Sequence, residues 1–102
     1  MRELHHPARE NMTLTGVLYA LSDPVRLSIV MHLAANGEKA CGTFSLPVAK
    51  STASHHFRVL REAGVIQMRA EGTHFINSLR RNDLDARFPG LLDAVLRTTD
   101  PV

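Results

Sequence analysis

The sequence predicts a mainly helical α+β domain, because helical and hairpin patterns occur side by side in one short chain. Apolar residues recur at helical spacing in four stretches of the 102 residues. After Gly64 the period changes, and β-branched and apolar residues on both sides of Glu71-Gly72 indicate a two-stranded β-hairpin over residues 65–80. The length and the 44% hydrophobic content fit one domain, which we place at residues 8–97 between a flexible N-terminal tail at 1–7 and a C-terminal tail at 98–102.

Two helices are predicted in the first third of the chain. The first runs from about residue 8 to residue 21, and one of its faces carries Leu14, Val17, Leu18 and Leu21. The second follows Asp23, which suits a helix cap, and Pro24, which suits the first helical position. It ends at Asn36-Gly37, and its apolar stripe consists of Leu27, Val30, Met31 and Ala34.

The rest of the chain predicts two or three further helices around the hairpin. Residues 38–49 (EKACGTFSLPVA) form either a short helix or a loop, because Gly42 and Pro47 allow at most a turn or two. Residues 50–64 (KSTASHHFRVLREAG) form a long helix closed by Gly64. A last helix begins near Asn82 or Pro89, and Pro89-Gly90 kinks or divides it. About five helices with a hairpin in this order make a winged helix-turn-helix.

Charge and composition narrow the function classes. The net charge is only +2, but residues 50–81 hold six basic residues against two acidic ones. Such a basic segment is typical of a surface that meets polyanions, although an ordinary solvated face would carry the same charges. The single cysteine excludes an intrachain disulfide, and the first ten residues (MRELHHPARE) have no apolar core of a signal peptide. We therefore expect a cytoplasmic protein with no membrane partner.

Three segments carry a family resemblance: LSDPVRLSIVMHLA, KSTASHHFRVLREAGVI and RAEGTHFINSLR. Together they resemble the ArsR/SmtB family of bacterial transcriptional repressors over residues 14–97, and the pattern at Ser51–Gly64 is the most characteristic part. The resemblance implies a homodimer that pairs through its first and last helices. It also implies binding to double-stranded DNA at a palindromic operator, through the long helix and the hairpin wing, and release by an inducer.

The long helix has two faces when its residues are placed 100° apart. Ala53, Phe57 and Leu60 fall on a core face with His56 at its edge, and small polar or basic residues fall on the other. Adjacent His55 and His56 point apart and so do not chelate one ion. The predicted DNA contacts on this helix are Lys50, Ser51, Thr52, Ser54 and His55, with Arg58 and Arg61 on phosphates. On the wing they are Arg69, Thr73 and His74. An amphipathic surface helix and a plain surface hairpin are the alternatives.

The signal that the protein senses stays open. The family's metal sites use paired cysteines or histidines of the last helix, whereas this chain has only Cys41, Asp93 and Asp100 in those regions. We expect no metal and no cofactor, and a metal-responsive repressor with non-standard ligands is an alternative. Cys41 is either a redox sensor, if a helix N-terminus stabilises its thiolate, or a small packing residue.

Two other function classes are the alternatives to a transcriptional regulator. A winged-helix protein-interaction module would have the same fold without the DNA contacts. The sequence shows no Gly-rich phosphate loop, nucleophile motif or carboxylate pair placed with histidine, so an enzyme is not expected.

Overall fold

A computed structural model describes residues 4–98, in which five α-helices surround a three-stranded antiparallel sheet. The helices are α1 (Leu14–Leu21), α2 (Pro24–Asn36), α3 (Lys50–Glu62), α4 (Arg81–Arg87) and α5 (Leu91–Leu96). The strands are β1 (Lys39–Ala40), β2 (Ile66–Glu71) and β3 (His74–Leu79), in the order β1-β3-β2. We call the β2–β3 hairpin the wing. This order confirms the predicted mainly helical winged helix-turn-helix.

Helix α2 begins and ends where its local signals predict. The Asp23 carboxylate accepts hydrogen bonds from the backbone N–H groups of Val25 at 2.8 Å and Arg26 at 3.2 Å, and Pro24 occupies the first helical position. These bonds satisfy N–H groups that a helix start leaves without partners. Asn36 is the last helical residue, and Gly37 follows at φ 81°, a conformation that glycine adopts without strain.

Helix α1 is shorter than predicted. It starts at Leu14, because Thr13 has extended backbone and its hydroxyl accepts a hydrogen bond from the N–H of Gly16 at 3.1 Å. Residues Arg9–Asn11 form a separate turn of 3₁₀ helix. Only part of the predicted apolar face of α1 is buried. Val17 is buried, whereas Leu14 and Leu18 are about half exposed.

The buried face of α2 is rotated from the predicted stripe. Ile29, Val30 and Leu33 are buried, whereas Leu27, Met31 and Ala34 are only half-buried. Arg26 is also buried, because α1 and α3 both pack on this side of α2. The core therefore lies between α1, α2 and α3, and it extends to β2, α4 and α5 through Val65, Ile66, Met68, Leu84 and Leu92.

A glycine joins α3 to the wing. The N–H of Gly64 donates to Arg61 O and the N–H of Val65 donates to Leu60 O, both at 3.0 Å, which is the Schellman arrangement of a helix end. Gly64 has φ 88°, and its Cα lies against the Met12 side chain, so that an added Cβ would stand 2.7 Å from Met12 Cγ. This packed corner sets the direction in which the chain leaves α3 and enters β2.

The wing has one more strand beside it than predicted. Glu71 pairs with His74, so Gly72 and Thr73 form the tip. On the other side of β3, Lys39 pairs with Asn77, and this two-residue strand is too short to show an alternating pattern. The predicted short helix in residues 38–49 is reduced to one 3₁₀ turn, Cys41–Thr43. The last helix is divided at Pro89-Gly90, as one of its alternatives predicted.

The segment before α1 is bonded to the domain. His6 Nε2 accepts from the N–H of Met68 at 3.0 Å, and Arg80 Nη1 donates to Pro7 O at 2.8 Å. Residues 4–7 of the tail expected over 1–7 thus make hydrogen bonds to the domain. Residues 1–3, and residues 99–102 of the tail predicted at 98–102, lie outside the described residues. Within 4–98, no single helix has the length and hydropathy to cross a membrane, and only the α1–α2 pair, bent by 98°, passes by length and composition.

Candidate nucleic-acid interface

Helix α3 separates its residues into a core face and an outer face as the helical wheel predicts. Phe57 and Leu60 are buried, and Ala53 is half-buried beside them. The outer face consists of Lys50, Ser51, Thr52, Ser54, His55 and Arg58, all of them exposed, and we call it the reading face. The short hydroxyl side chains leave the backbone of α3 accessible, and the basic side chains extend beyond it.

The N-terminus of α3 has free hydrogen-bond donors. Ala49 precedes the helix and supplies no side-chain cap, in contrast to Thr13 before α1 and Asp23 before α2. The first turn of α3 contains no acidic residue, and Lys50 lies within it. Uncapped N–H groups together with the helix dipole and a lysine favour an anion at this position.

The two histidines of α3 have different environments. His55 is exposed, and its Nδ1 accepts from Arg58 Nη2 at 3.2 Å, because a guanidinium has donors only. This hydrogen bond occupies Nδ1, so Nε2 is the ring nitrogen of His55 that can bind another partner. His56 is 7% exposed, and its Nδ1 accepts from Arg26 Nη1 at 3.1 Å. His56 is therefore bonded to a side chain of α2.

Arg26 fixes α3 to the α1–α2 corner. Its Nε donates to Ala20 O at 2.8 Å and its Nη2 donates to Tyr19 O at 3.2 Å, which are carbonyls at the end of α1. The Tyr19 ring covers the guanidinium at 5.1 Å from its centre. Because His56 Nδ1 accepts from Arg26, the ring proton lies on Nε2. This Nε2 atom is 3.9 Å from Asp23 Oδ1. One buried arginine thus connects three helices behind the reading face.

Arg61 lies apart from the reading face. Only 12% of its side chain is exposed, and Nη2 is 3.7 Å from the Glu62 carboxylate. Its Nε is buried and has no hydrogen-bond partner among residues 4–98. The structure therefore separates Arg61 from the other predicted phosphate contact, Arg58.

The wing carries a network of charges that the sequence indicated only in part. Arg69 donates to both oxygens of Glu38, at 2.7 and 2.9 Å, and to Glu71 at 3.1 Å. The Arg69 guanidinium lowers the pKa of Glu38, and the two carboxylates raise the pKa of Arg69. Thr73 and His74 are exposed at the tip. Glu71 is two residues from Arg69 on the same strand, whereas Glu38 is 31 residues away and no local pattern indicates it.

Cys41 is half-buried beside β3. Asn77 Nδ2 is 3.0 Å from Cys41 Sγ, and burial raises the pKa of the thiol despite that hydrogen bond. Cys41 begins a turn of only three residues, which has too few aligned peptides for the dipole effect that the sequence suggested. Within residues 4–98, no three His, Cys, Asp or Glu side chains converge as metal ligands would.

Comparison with known proteins gives relatives in one class. A family model described as a helix-turn-helix domain matches residues 21–69. The chain is 37% identical over 82 residues to the uncharacterized HTH-type transcriptional regulator YceK of Bacillus subtilis (strain 168), which covers 78% of this chain and 82% of YceK. It is 39% identical over 59 residues to the uncharacterized HTH-type transcriptional regulator MJ1325 of Methanocaldococcus jannaschii, covering 56% and 66% of the two chains. The crystal structure of the ArsR family transcriptional regulator RHA00566 has a TM-score of 0.63 at 21% identity, covering 79% of this chain and 90% of that one, which is a likeness of fold.

Proposed function

The chain belongs to the HTH-type transcriptional regulators, with the winged-helix fold of an ArsR family member, and from this premise we propose that it is a dimeric repressor. It is a DNA-binding regulator and not an enzyme. The proposed partner is double-stranded DNA in the cytoplasm, at a palindromic operator from which an inducer releases the protein. The observation that carries this proposal is the exposed, uncapped and acid-free start of α3.

The proposed contacts follow from the exposure and chemistry of each side chain. Base contacts are assigned to the reading-face residues Lys50, Ser51, Thr52, Ser54 and His55, and phosphate contacts to Arg58 and the N-terminus of α3. Wing contacts are assigned to Arg69, Thr73 and His74. Arg61 is left out of the phosphate contacts because its side chain is mostly buried.

The proposed dimer surface is the exposed apolar side of α1 together with α5. Leu14, Leu18 and Tyr19 are 48%, 45% and 60% exposed. Leu21 of α1 and Leu91 of α5 line one narrow internal gap, so the two helices lie beside each other. Large apolar side chains grouped on a surface favour a protein partner. Sedimentation of a monomer at micromolar concentration would contradict this part of the proposal.

The first prediction separates base reading from phosphate binding. The preferred site is the DNA that the wild type selects from random fragments. Ser54→Ala and His55→Ala should each weaken binding to this site by about 1–3 kcal/mol and relax the sequence preference of the protein. Arg58→Ala should instead weaken all sequences by a similar factor and reduce the salt slope by about one. Binding titrations at several salt concentrations measure both quantities.

Two results would count against this assignment. If Ser54→Ala and His55→Ala kept both affinity and preference, the reading face would be misplaced on α3. If wild-type binding to DNA were weak and independent of salt, a winged-helix module for binding proteins would be the better interpretation, because phosphate neutralisation always gives a salt dependence.

The second prediction concerns the Glu38–Arg69 pair. Glu38→Gln should increase the affinity for all DNA sequences by about threefold to tenfold and steepen the salt slope by about one, because Arg69 then loses its bidentate partner and keeps only Glu71 in competition with phosphate. Glu10→Gln, which removes an exposed acid on the 3₁₀ turn before α1, is the matched control and should change binding less. Equal affinities and slopes for Glu38→Gln and the wild type would exclude Arg69 from the contacts.

Release by a bound inducer is preferred to release by oxidation of Cys41. The raised pKa of the thiol keeps it protonated, and the thiolate is the form that peroxide oxidises. Peroxide should therefore affect operator binding equally in the wild type and in Cys41→Ser. A loss of binding confined to the wild type would restore the oxidation route.

A further inference from the structure

A cavity of about 440 Å³ opens between the segment before α3, α3 itself and the wing. Its walls are largely apolar, and the principal side chains are Phe44, Leu46, Val48, Phe57, Met68 and Phe75. Phe75 is 40% exposed although it is a large aromatic residue, so part of this wall faces solvent. The volume is within the range of small-molecule sites, and the walls suit a hydrocarbon or aromatic body.

One part of the cavity is positively charged. Lys50, Arg58 and Arg61 line it, and no acidic residue does so among the described residues. The Nε of Arg61 is buried without an acceptor within residues 4–98, and Nη2 is 3.7 Å from its nearest carboxylate, that of Glu62. Buried donors are nearly always paired in folded proteins, and an unpaired arginine nitrogen is costly to bury. The cavity therefore combines an apolar wall with an arginine that has no acidic partner within hydrogen-bonding distance among the described residues.

The positive field of Arg61 extends to its neighbours. Burial, followed by the charge of Arg61, lowers the pKa of His6 in the segment that crosses the wing. An arginine side chain that is 12% exposed and has one distant acidic partner is poorly neutralised. A carboxylate in the cavity would supply the missing negative charge and an acceptor for the part of the guanidinium that remains accessible.

We propose that this cavity binds a small apolar carboxylate and that its occupation weakens DNA binding, so that the cavity is the inducer site. The carboxylate accepts from Arg61, and the apolar body packs against Phe44, Phe57 and Phe75. The regulatory part of this inference rests on the proposed function. Lys50, Ser54 and Arg58 belong both to the cavity wall and to the reading face, and Met68 and Phe75 belong to the wing. A ligand between α3 and the wing thus changes their separation and neutralises charge that faces phosphate.

The binding test uses octanoate and octan-1-ol, which share a chain length and differ in charge. Calorimetry on the full chain without DNA should show octanoate binding at least tenfold more tightly than octan-1-ol. Arg61→Met should abolish this preference, whereas Arg97→Met, which removes an exposed arginine after α5, should keep it. Equal affinity of the wild type for the two compounds, or a preference retained in Arg61→Met, would overturn the proposal.

A second variant controls for an effect of Arg61→Met on folding. Phe75→Ser alters a side chain that is already partly exposed, and it should weaken both octanoate and octan-1-ol at least fivefold. Unchanged binding of both compounds would place them elsewhere on the molecule. Octanoate binding that disappears as the protein concentration rises would assign the cavity to a second copy of the chain and overturn the ligand assignment.

The regulatory part has its own measurement. Saturating octanoate should weaken binding of the wild type to its selected DNA at least fivefold and leave Arg61→Met unaffected. Unchanged DNA affinity in the wild type would overturn the inducer role. If the wild type bound no DNA at all, the proposed function would fail and the inducer role with it, while the calorimetric result would still decide whether the cavity binds carboxylates.

Discussion

Gly64→Ala is expected to destabilise the protein by about 3 kcal/mol, because two costs fall on one residue. A side chain at φ 88° is strained by about 1 kcal/mol, and forcing an extra carbon into a packed core adds about 1–3 kcal/mol. The added Cβ would stand 2.7 Å from Met12 Cγ, and Met12 is fully buried, so it has little space into which to move. Urea unfolding followed by circular dichroism measures the change in the free energy of unfolding.

Gly90→Ala is the matched control for this substitution. Gly90 also has positive φ, 83°, but an added Cβ there meets no atom within 4 Å in the described structure. It should therefore cost about 1 kcal/mol, the cost of the backbone strain alone. In a double-mutant cycle, Met12→Ala should recover part of the loss in Gly64→Ala. Similar losses at Gly64 and Gly90, with no coupling to Met12, would refute the packing explanation.

Arg26→Met is expected to destabilise the protein by about 2–5 kcal/mol although methionine nearly fills the same space. Arg26 is 5% exposed, and its loss removes the donor of the Ala20 carbonyl and of His56 Nδ1, whereas Tyr19 O keeps its hydrogen bonds from Ser22. Removing one member of a buried polar network costs more than the network contributes as a whole. The loss is measured as a shift of the urea midpoint with an unchanged slope.

Two further variants make the Arg26 prediction specific. Arg26→Lys keeps the charge but has a single nitrogen in place of the planar fork, so it should recover less than half of the lost stability. Arg97→Met, at an exposed position, should change the free energy of unfolding by less than about 0.5 kcal/mol. Full rescue by lysine would mean that charge, and not the three directed hydrogen bonds, stabilises this corner.

Local signals in the sequence predicted those parts of the fold that local interactions determine. The bounds of α2 depend on Asp23, Pro24 and Gly37, and each acts on backbone groups within a few residues. The two faces of α3 follow from the helical repeat, and Gly64 ends that helix as predicted. In each case the deciding contact lies within one element, so a single sequence is sufficient to identify it.

The features that the sequence did not predict depend on contacts between distant elements. The Arg26–His56 pair joins residues 30 positions apart, and the Glu38–Arg69 pair joins residues 31 positions apart. Arg26 is buried because of what packs on α2, and an arginine in a helical stripe is ordinarily assigned to the solvent side. Packing between elements also explains the burial of Arg61. Its charge predicts a phosphate contact, but neighbouring elements enclose most of its side chain.

The segment between β1 and α3 has a consequence for how this regulator can diversify. Residues 41–49 are anchored at one end by the pairing of Ala40 with Ile76 and at the other by the start of α3. Within this part of the described chain, Phe44 N–H to Cys41 O is the one backbone hydrogen bond that closes inside the segment. Doubling the length of such a loop costs only about 0.6 kcal/mol of closure entropy. Insertions and substitutions here would therefore reshape one wall of the cavity while α3 keeps its position, and ligand preference can diverge independently of the DNA sequence that is read.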